Sequence, residues 1–234
     1  MYNTQSEHWK EPYLNGKVIL IDKPLTWTSF DAVKKIRIAT GVSKVGHAGT
    51  LDPLATGLLI ICTGKFTKQI NEYMAAEKEY TGSITLGAST PTYDLESEPV
   101  FVGSTADISE EIILETTKQF TGQIMQVPPA HSAIKKNGTP AYILARKGKE
   151  VKMEPRSITI SSFEITKIEL PLVYFKVVCS TGTYIRSLAN DFGAAIGCGG
   201  HLSSLRRTRI GSFKVDDAHS IESFIEEINL LKGK

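Results

Sequence analysis

The stretch GHAGTLDPLATG, Gly46 to Gly57, constrains this chain more than any other. Three glycines and a proline surround one acid, Asp52. Neither a helix nor a strand can run through all of it. Gly46, Gly49 and Gly57 permit tight turns and close approach by a ligand, and Pro53 biases Asp52 away from helical geometry. A lone carboxylate therefore sits on a conformationally restricted loop. It can serve as an Asx-turn former or as a fixed acid for chemistry. A phosphate loop does not fit, because the chain has neither GxxxxGK[ST] nor GxGxxG.

Around this loop, hydrophobic periodicity marks out elements. GKVILIDKP reads as a strand ending at Pro24, and TSFDAVKKIRIAT as a helix capped by Thr28 or Ser29 and stopped at Gly41. LLIIC, Leu58 to Cys62, reads as a buried strand, with a short helix around Thr67 to Ala75. KEYTGSITLG alternates with Tyr80, Ile84 and Leu86 on one face and Thr81, Ser83 and Thr85 on a polar one. Helices are expected over ISEEIILETTKQFTG, TYIRSLANDFGAAIG and SIESFIEEINLL, and strands over RSITISSFEITKIEL and LVYFKVVCSTG. Strands and helices alternate without a strict βαβ rhythm. This predicts an α+β fold with a large mixed, mostly antiparallel sheet flanked by helices. No interdomain linker or repeat is evident, so one domain over residues 1–234 is expected.

Composition excludes some classes. Cys62, Cys179 and Cys198 are odd in number and far apart, without CxxC, which disfavours a disulfide framework or a zinc site. Cys198 and His201 form a CxxH, but two ligands do not make a site. The polar N-terminal stretch MYNTQSEHWKEPYLNG lacks an apolar core, so it is no signal peptide, and no apolar run reaches membrane-span length. A cytoplasmic protein is expected. The net charge of +2 leaves nucleic acid open, because local clusters matter more than the total.

Asp52 would have to act singly. No second acid is punctuated as glycoside hydrolysis would require, and no GxSxG is present. An ionised acid in a dry cleft needs a cation. Arg186, in the first turn of a helix, is misplaced for the helix dipole, which points to an outside carboxylate or phosphate. His47 can act as a base or a stacking group. Gln126 to Arg156 carries four prolines, Tyr142 and basic residues at 135, 136, 146, 147, 149, 152 and 156, and reads as an exposed insertion. Arg206, Arg207 and Arg209 add a second basic run. Either run can follow an RNA backbone or form a solvated face.

Five stretches occur in order: KPLTWTSFDAVKKI, GHAGTLDPLATGLLIICTGKFTK, KEYTGSITLG, PPAHSAIKKNGTPAYILARKG and CSTGTYIRSLANDFGAAIGCGGHLSSLRRTRIGSF. Together, from Lys17 to Phe213, they resemble the TruB family of tRNA pseudouridine synthases. The resemblance implies the pseudouridine synthase fold, with residues 124–151 as a basic RNA-gripping thumb. It implies isomerisation of uridine 55 in the T arm of tRNA, with no metal or organic cofactor. A monomer without membrane contact is expected, and the lack of a PUA-like domain argues against a guide RNA. Asp52 falls on the catalytic aspartate, Tyr80 on a tyrosine that stacks on the target base, and Arg186 on the arginine that pairs with the aspartate. His47 matches a residue that holds the flipped-out nucleotide stack. Tyr184 and Leu205 match uracil-pocket residues, and Lys23 with Pro24 a motif supporting the active-site loop. Three roles stay open to Asp52: attack at C1′, removal of a C2′ proton, or addition at C6. Longer members carry a C-terminal PUA or related RNA-binding domain, and no such domain fits after Phe213. A non-catalytic RNA-binding or tRNA-folding module on the same fold is the alternative.

Overall fold

A computed structural model describes residues 8–136 and 138–233. Residues 1–7 of the polar N-terminal stretch and Asn137 of the basic insertion lie outside the described residues. In chain order the elements are α1 (Glu11–Asn15), β1 (Val18–Lys23), α2 (Ser29–Thr40), β2 (Val45–His47), β3 (Ala55–Thr63), α3 (Ile70–Ala75) and β4 (Lys78–Leu86). Then come β5 (Ala88–Ser89), β6 (Val100–Phe101), α4 (Glu110–Thr117), β7 (Gly122–Gln126), β8 (Lys135–Lys136), β9 (Thr139–Pro140) and α5 (Ala141–Arg146). The last are β10 (Arg156–Glu169), β11 (Leu172–Cys179), α6 (Ile185–Ile196), β12 (Gly200–Ile210), β13 (Phe213–Lys214) and α7 (Ile221–Lys232). The expected class is what the chain adopts: α+β, with a large, mostly antiparallel sheet and flanking helices. The chain divides into two compact units, Met1–Glu79 with Arg206–Lys234, and Tyr80–Leu205.

In the first unit β3 is the centre. It pairs antiparallel with β1, from Val18 opposite Cys62 to Lys23 opposite Gly57, and with β2 from Val45 opposite Thr63 to His47 opposite Ile61. Leu59 and Ile61 pack into one cluster with Ile36 of α2 and Phe224 and Ile228 of α7. Leu58, Ile60 and Cys62 pack into another with Ile210 and Val215. Burial on both faces explains why LLIIC is continuously apolar rather than alternating. Helix α2 forms where its caps dictate: Thr28 and Asp31 make a reciprocal capping box, and Gly41 ends the helix at φ 64. Gly57 marks a close crossing, because a Cβ there would lie 2.3 Å from the Arg207 carbonyl oxygen.

In the second unit the strand order is β12-β4-β11-β10-β7. Strands β10 and β11 pair antiparallel, with two register shifts along β10. Edge-to-face contacts join Phe163 to Phe175 and to Phe192 of α6. The polar face expected on β4 is not a wet one. Ser83 is buried, and its hydroxyl meets those of Ser203 and Ser204 at 3.1 and 2.7 Å. Strand β12 is absent from the sequence reading, where its arginines resembled a surface run. It is 11 residues long, and the buried residues Gly200, His201, Leu202, Arg207 and Ile210 anchor it.

Candidate active site

Asp52 lies on the turn between β2 and β3, in the first unit, and is half-buried. Bonds on both sides hold it. The Ser29 hydroxyl accepts the Leu51 N–H at 2.8 Å and donates to the Leu51 carbonyl at 3.1 Å. The Thr26 N–H donates to the Pro53 carbonyl at 2.8 Å, and the Ala55 N–H to the Asp52 carbonyl at 3.0 Å. Buried Ala48, Leu51 and Ala55 pin the turn into the core. Gly49, at φ 95, supplies the left-handed residue it requires. The loop is therefore a preorganised platform for one carboxylate.

Two cations lie beneath it. Lys23 is fully buried, and its Nζ donates to the Pro24 and Trp27 carbonyls at 2.9 and 2.6 Å. These bonds fold residues 24–27 into the turn that presents Thr26 and Ser29. Burial lowers the Lys23 pKa to about 8; the Asp52 charge opposes that shift and the Arg207 charge adds to it. Lys23 is thus both a support and an electrostatic neighbour of Asp52. Arg207 is 1% exposed and donates from Nε to the Leu58 carbonyl at 2.7 Å and from Nη2 to the Gly49 carbonyl at 3.1 Å. His47 ends β2. Burial, and then the Arg207 charge, lower its pKa, which favours a neutral ring at pH 7; the Gly49 backbone opposes them.

The second basic run is built into the fold. Arg206 grips Asp22 with two bonds of 2.9 and 2.7 Å, and Arg209 reaches Glu77 at 2.9 Å. Arg207 was indistinguishable from these in sequence, yet it alone underlies the Asp52 loop. The signal that could have found it is strand alternation: it shares a parity with Leu205, and with Gly57 it marks a close backbone crossing.

The second unit holds Tyr80, Tyr184, Arg186 and Leu205. Tyr80 is buried on β4, and Leu205 is half-buried on β12. Arg186, in the first turn of α6, is 5% exposed. Its Nη2 donates to the His131 carbonyl at 2.9 Å, its Nη1 to the Thr92 carbonyl at 3.3 Å, and its Nε lies 3.7 Å from the Asp94 carboxylate. Asp94 is a partner that sequence reasoning missed. It is 4% exposed, and its carboxylate also accepts the Glu96 N–H at 3.0 Å. Thr90 and Thr92 hydroxyls donate to its carbonyl at 2.7 and 3.2 Å. Tyr93 bends the segment at φ 64. A dense run of turn formers, STPTYDLES, is the available signal.

Tyr184 is the N-cap of α6, and its side chain makes no capping hydrogen bond. The Gln126 amide clasps its backbone instead, accepting the N–H at 2.8 Å and donating to the carbonyl at 3.1 Å. In the basic insertion Lys135, Arg146, Lys147, Lys149 and Lys152 are exposed, and Arg146 stacks over the Tyr142 ring at 5.7 Å. Cys198 and His201 each bond a backbone carbonyl, of Gly199 and Ala88. Among the described residues no cluster of three or more His, Cys, Asp or Glu could hold a metal ion. No helix among them is long and apolar enough to cross a membrane.

Comparison with known proteins first defines the class, that of RNA-modifying synthases. Residues 37–185 match the model described as TruB family pseudouridylate synthase (N terminal domain). Residues 186–233 match that of the tRNA pseudouridylate synthase B C-terminal domain. The chain is 55% identical to the tRNA pseudouridine synthase B of Flavobacterium johnsoniae, covering 93% of this chain and 98% of that one. It is 46% identical to that of Parabacteroides distasonis, covering 94% and 97%. Among solved structures it resembles one titled Crystal Structure of a Cbf5-Nop10-Gar1 Complex, at 32% identity and a TM-score of 0.73. This chain spans 56% of that longer one. The chain belongs to the TruB family of pseudouridine synthases.

Proposed function

We infer that the chain isomerises uridine in tRNA to pseudouridine. The glycosidic bond from C1′ to N1 breaks, the uracil turns, and C1′ rejoins through C5. N1 gains a proton for the one C5 loses, so no atom is added overall. The target is uridine 55 in the T stem-loop, and the enzyme works as a cytoplasmic monomer without a guide RNA. The observation that carries this reading is the Asp52 loop, held at Leu51, Gly49 and Pro53 in a chain of this family.

Asp52 supplies the catalytic carboxylate, with the buried Lys23 as its electrostatic neighbour. A uridine inside a stem-loop must leave its stack before an acid can reach C1′. Tyr80 replaces the lost stacking, and His47, as a neutral ring, holds the displaced neighbours without adding charge. Arg186, fixed on three sides, is the second catalytic side chain, with Tyr184 and Leu205 against the uracil. The exposed basic residues of 124–151 grip phosphates. A non-catalytic RNA-binding module is the reading its relatives do not favour.

The test is position-specific. The protein is incubated with unmodified tRNA and with the same tRNA carrying cytidine at position 55. Pseudouridine at position 55 of the first alone supports the assignment. Pseudouridine elsewhere in both refutes the site, and none in either refutes the activity.

A further inference from the structure

One face of α2 has no part in the function above. An open groove of about 420 Å³ runs there, lined by Thr26, Trp27, Asp31, Lys34, Lys35 and Ile38. Its chemistry is mixed. Trp27 packs against the core cluster, so its ring is a fixed wall, whereas Ile38 is 67% exposed. The acid in the groove is already engaged: Asp31 accepts the Thr28 N–H at 2.9 Å and its hydroxyl at 2.5 Å. Lys34 and Lys35 have no hydrogen bond or salt bridge among the described residues. The groove thus presents two exposed cations outside any hydrogen bond or salt bridge beside an aromatic ring, although the Lys34 charge also acts on Asp31.

Its rim is tied to the catalytic loop. Thr26 lies at φ 68, a left-handed conformation that a β-branched residue adopts only when its surroundings impose it. Its N–H is the group bonded to the carbonyl of Pro53, the residue after Asp52. One hydrogen bond therefore separates the groove from the loop. An RNA strand presenting a nucleotide to Asp52 must carry its neighbouring phosphates across adjoining protein surface, where fixed cations are favoured.

We propose that this groove binds the sugar-phosphate backbone of the RNA substrate next to the target nucleotide, with Lys34 and Lys35 on phosphates and Trp27 against a sugar or base face. The proposal rests on the tRNA-modifying reading above. Phosphate contacts position a substrate without reading its sequence, so the groove would set register rather than base choice.

The test is salt-dependent binding of unmodified tRNA to the full chain, comparing wild type, Lys34→Ala/Lys35→Ala and Lys34→Arg/Lys35→Arg. Each lost phosphate contact lowers the slope of log affinity against log salt by about 0.7–0.9. The alanine pair should lower it by about 1.4–1.8 and weaken binding at low salt by about tenfold or more. The arginine pair should keep the wild-type slope, which separates charge from folding. A wild-type slope and affinity in the alanine pair overturn the groove, whatever else occupies it. Equal losses in both pairs also overturn it. Wild-type protein that neither binds nor modifies the tRNA instead sinks the functional reading, a distinct outcome.

Discussion

The Ser29 hydroxyl and the Leu51 backbone exchange two hydrogen bonds, one in each direction, at 2.8 and 3.1 Å. Ser29 opens α2, and Leu51 precedes Asp52, the proposed catalytic acid. The capped end of a helix thereby sets the position of Asp52.

Ser29→Ala should therefore act on the rate. It strands a buried N–H and carbonyl, costing about 1–3 kcal/mol of stability. It also frees the loop, and a misplacement on the order of 1 Å costs about a hundredfold in rate. Ser29→Thr keeps the hydroxyl and should recover most of the activity. Thr28→Ala removes the helix cap and costs about 1 kcal/mol. Single-turnover rates beside thermal melts separate the cases: if Thr28→Ala and Ser29→Ala lose rate equally, Ser29 has no positioning role.

Asp94 should prove as important as the residues recognisable in the sequence. Its carboxylate lies 3.7 Å from the buried Arg186 guanidinium. Asp94→Ala leaves Arg186 buried without it, a loss of about 3 kcal/mol. Asp94→Asn keeps the shape and removes the charge, and should lower the single-turnover rate by about a hundredfold if Arg186 moves by about 1 Å. tRNA affinity should stay within severalfold of wild type. A rate loss that disappears at saturating tRNA would make Asp94 a binding residue instead.

The parts that were legible share a physical cause. LLIIC announced a strand because burial on both faces forces a continuous apolar run. The α2 caps were visible because Thr28, Asp31 and Gly41 act within a few residues of one another. Asp52 stood out because its glycines permit tight turns and Pro53 restricts the backbone locally. Arg207 and Asp94 were hidden because their roles depend on partners far along the chain. Arg207 bonds the carbonyl of residue 58, and Asp94 meets residue 186. Strand β12 was hidden for the same reason: its arginines are buried or paired by groups that local periodicity cannot show.

Lys23 should give stability an alkaline signature. Its pKa in the fold is about 8, down from 10.5. Between those values the unfolded chain binds the proton and the folded one does not, so Lys23's contribution to stability rises with pH across that window. Below about pH 8 both forms carry it, and the penalty of burying the charge is constant. The unfolding free energy of wild type relative to Lys23→Met should therefore increase from pH 8 to pH 10. A difference independent of pH would show that Lys23 keeps an ordinary pKa.

Asp52→Asn measures the central claim most directly. The variant keeps the size of the side chain and removes the ionisable group. Wild type and variant, each saturating over unmodified tRNA, are followed for pseudouridine at position 55 in a single turnover, with tRNA binding measured in parallel. The account predicts a rate at least about a thousandfold lower, the scale of losing a catalytic group's electrostatic contribution, with tRNA affinity retained. Pseudouridine formed by Asp52→Asn at the wild-type rate would contradict it.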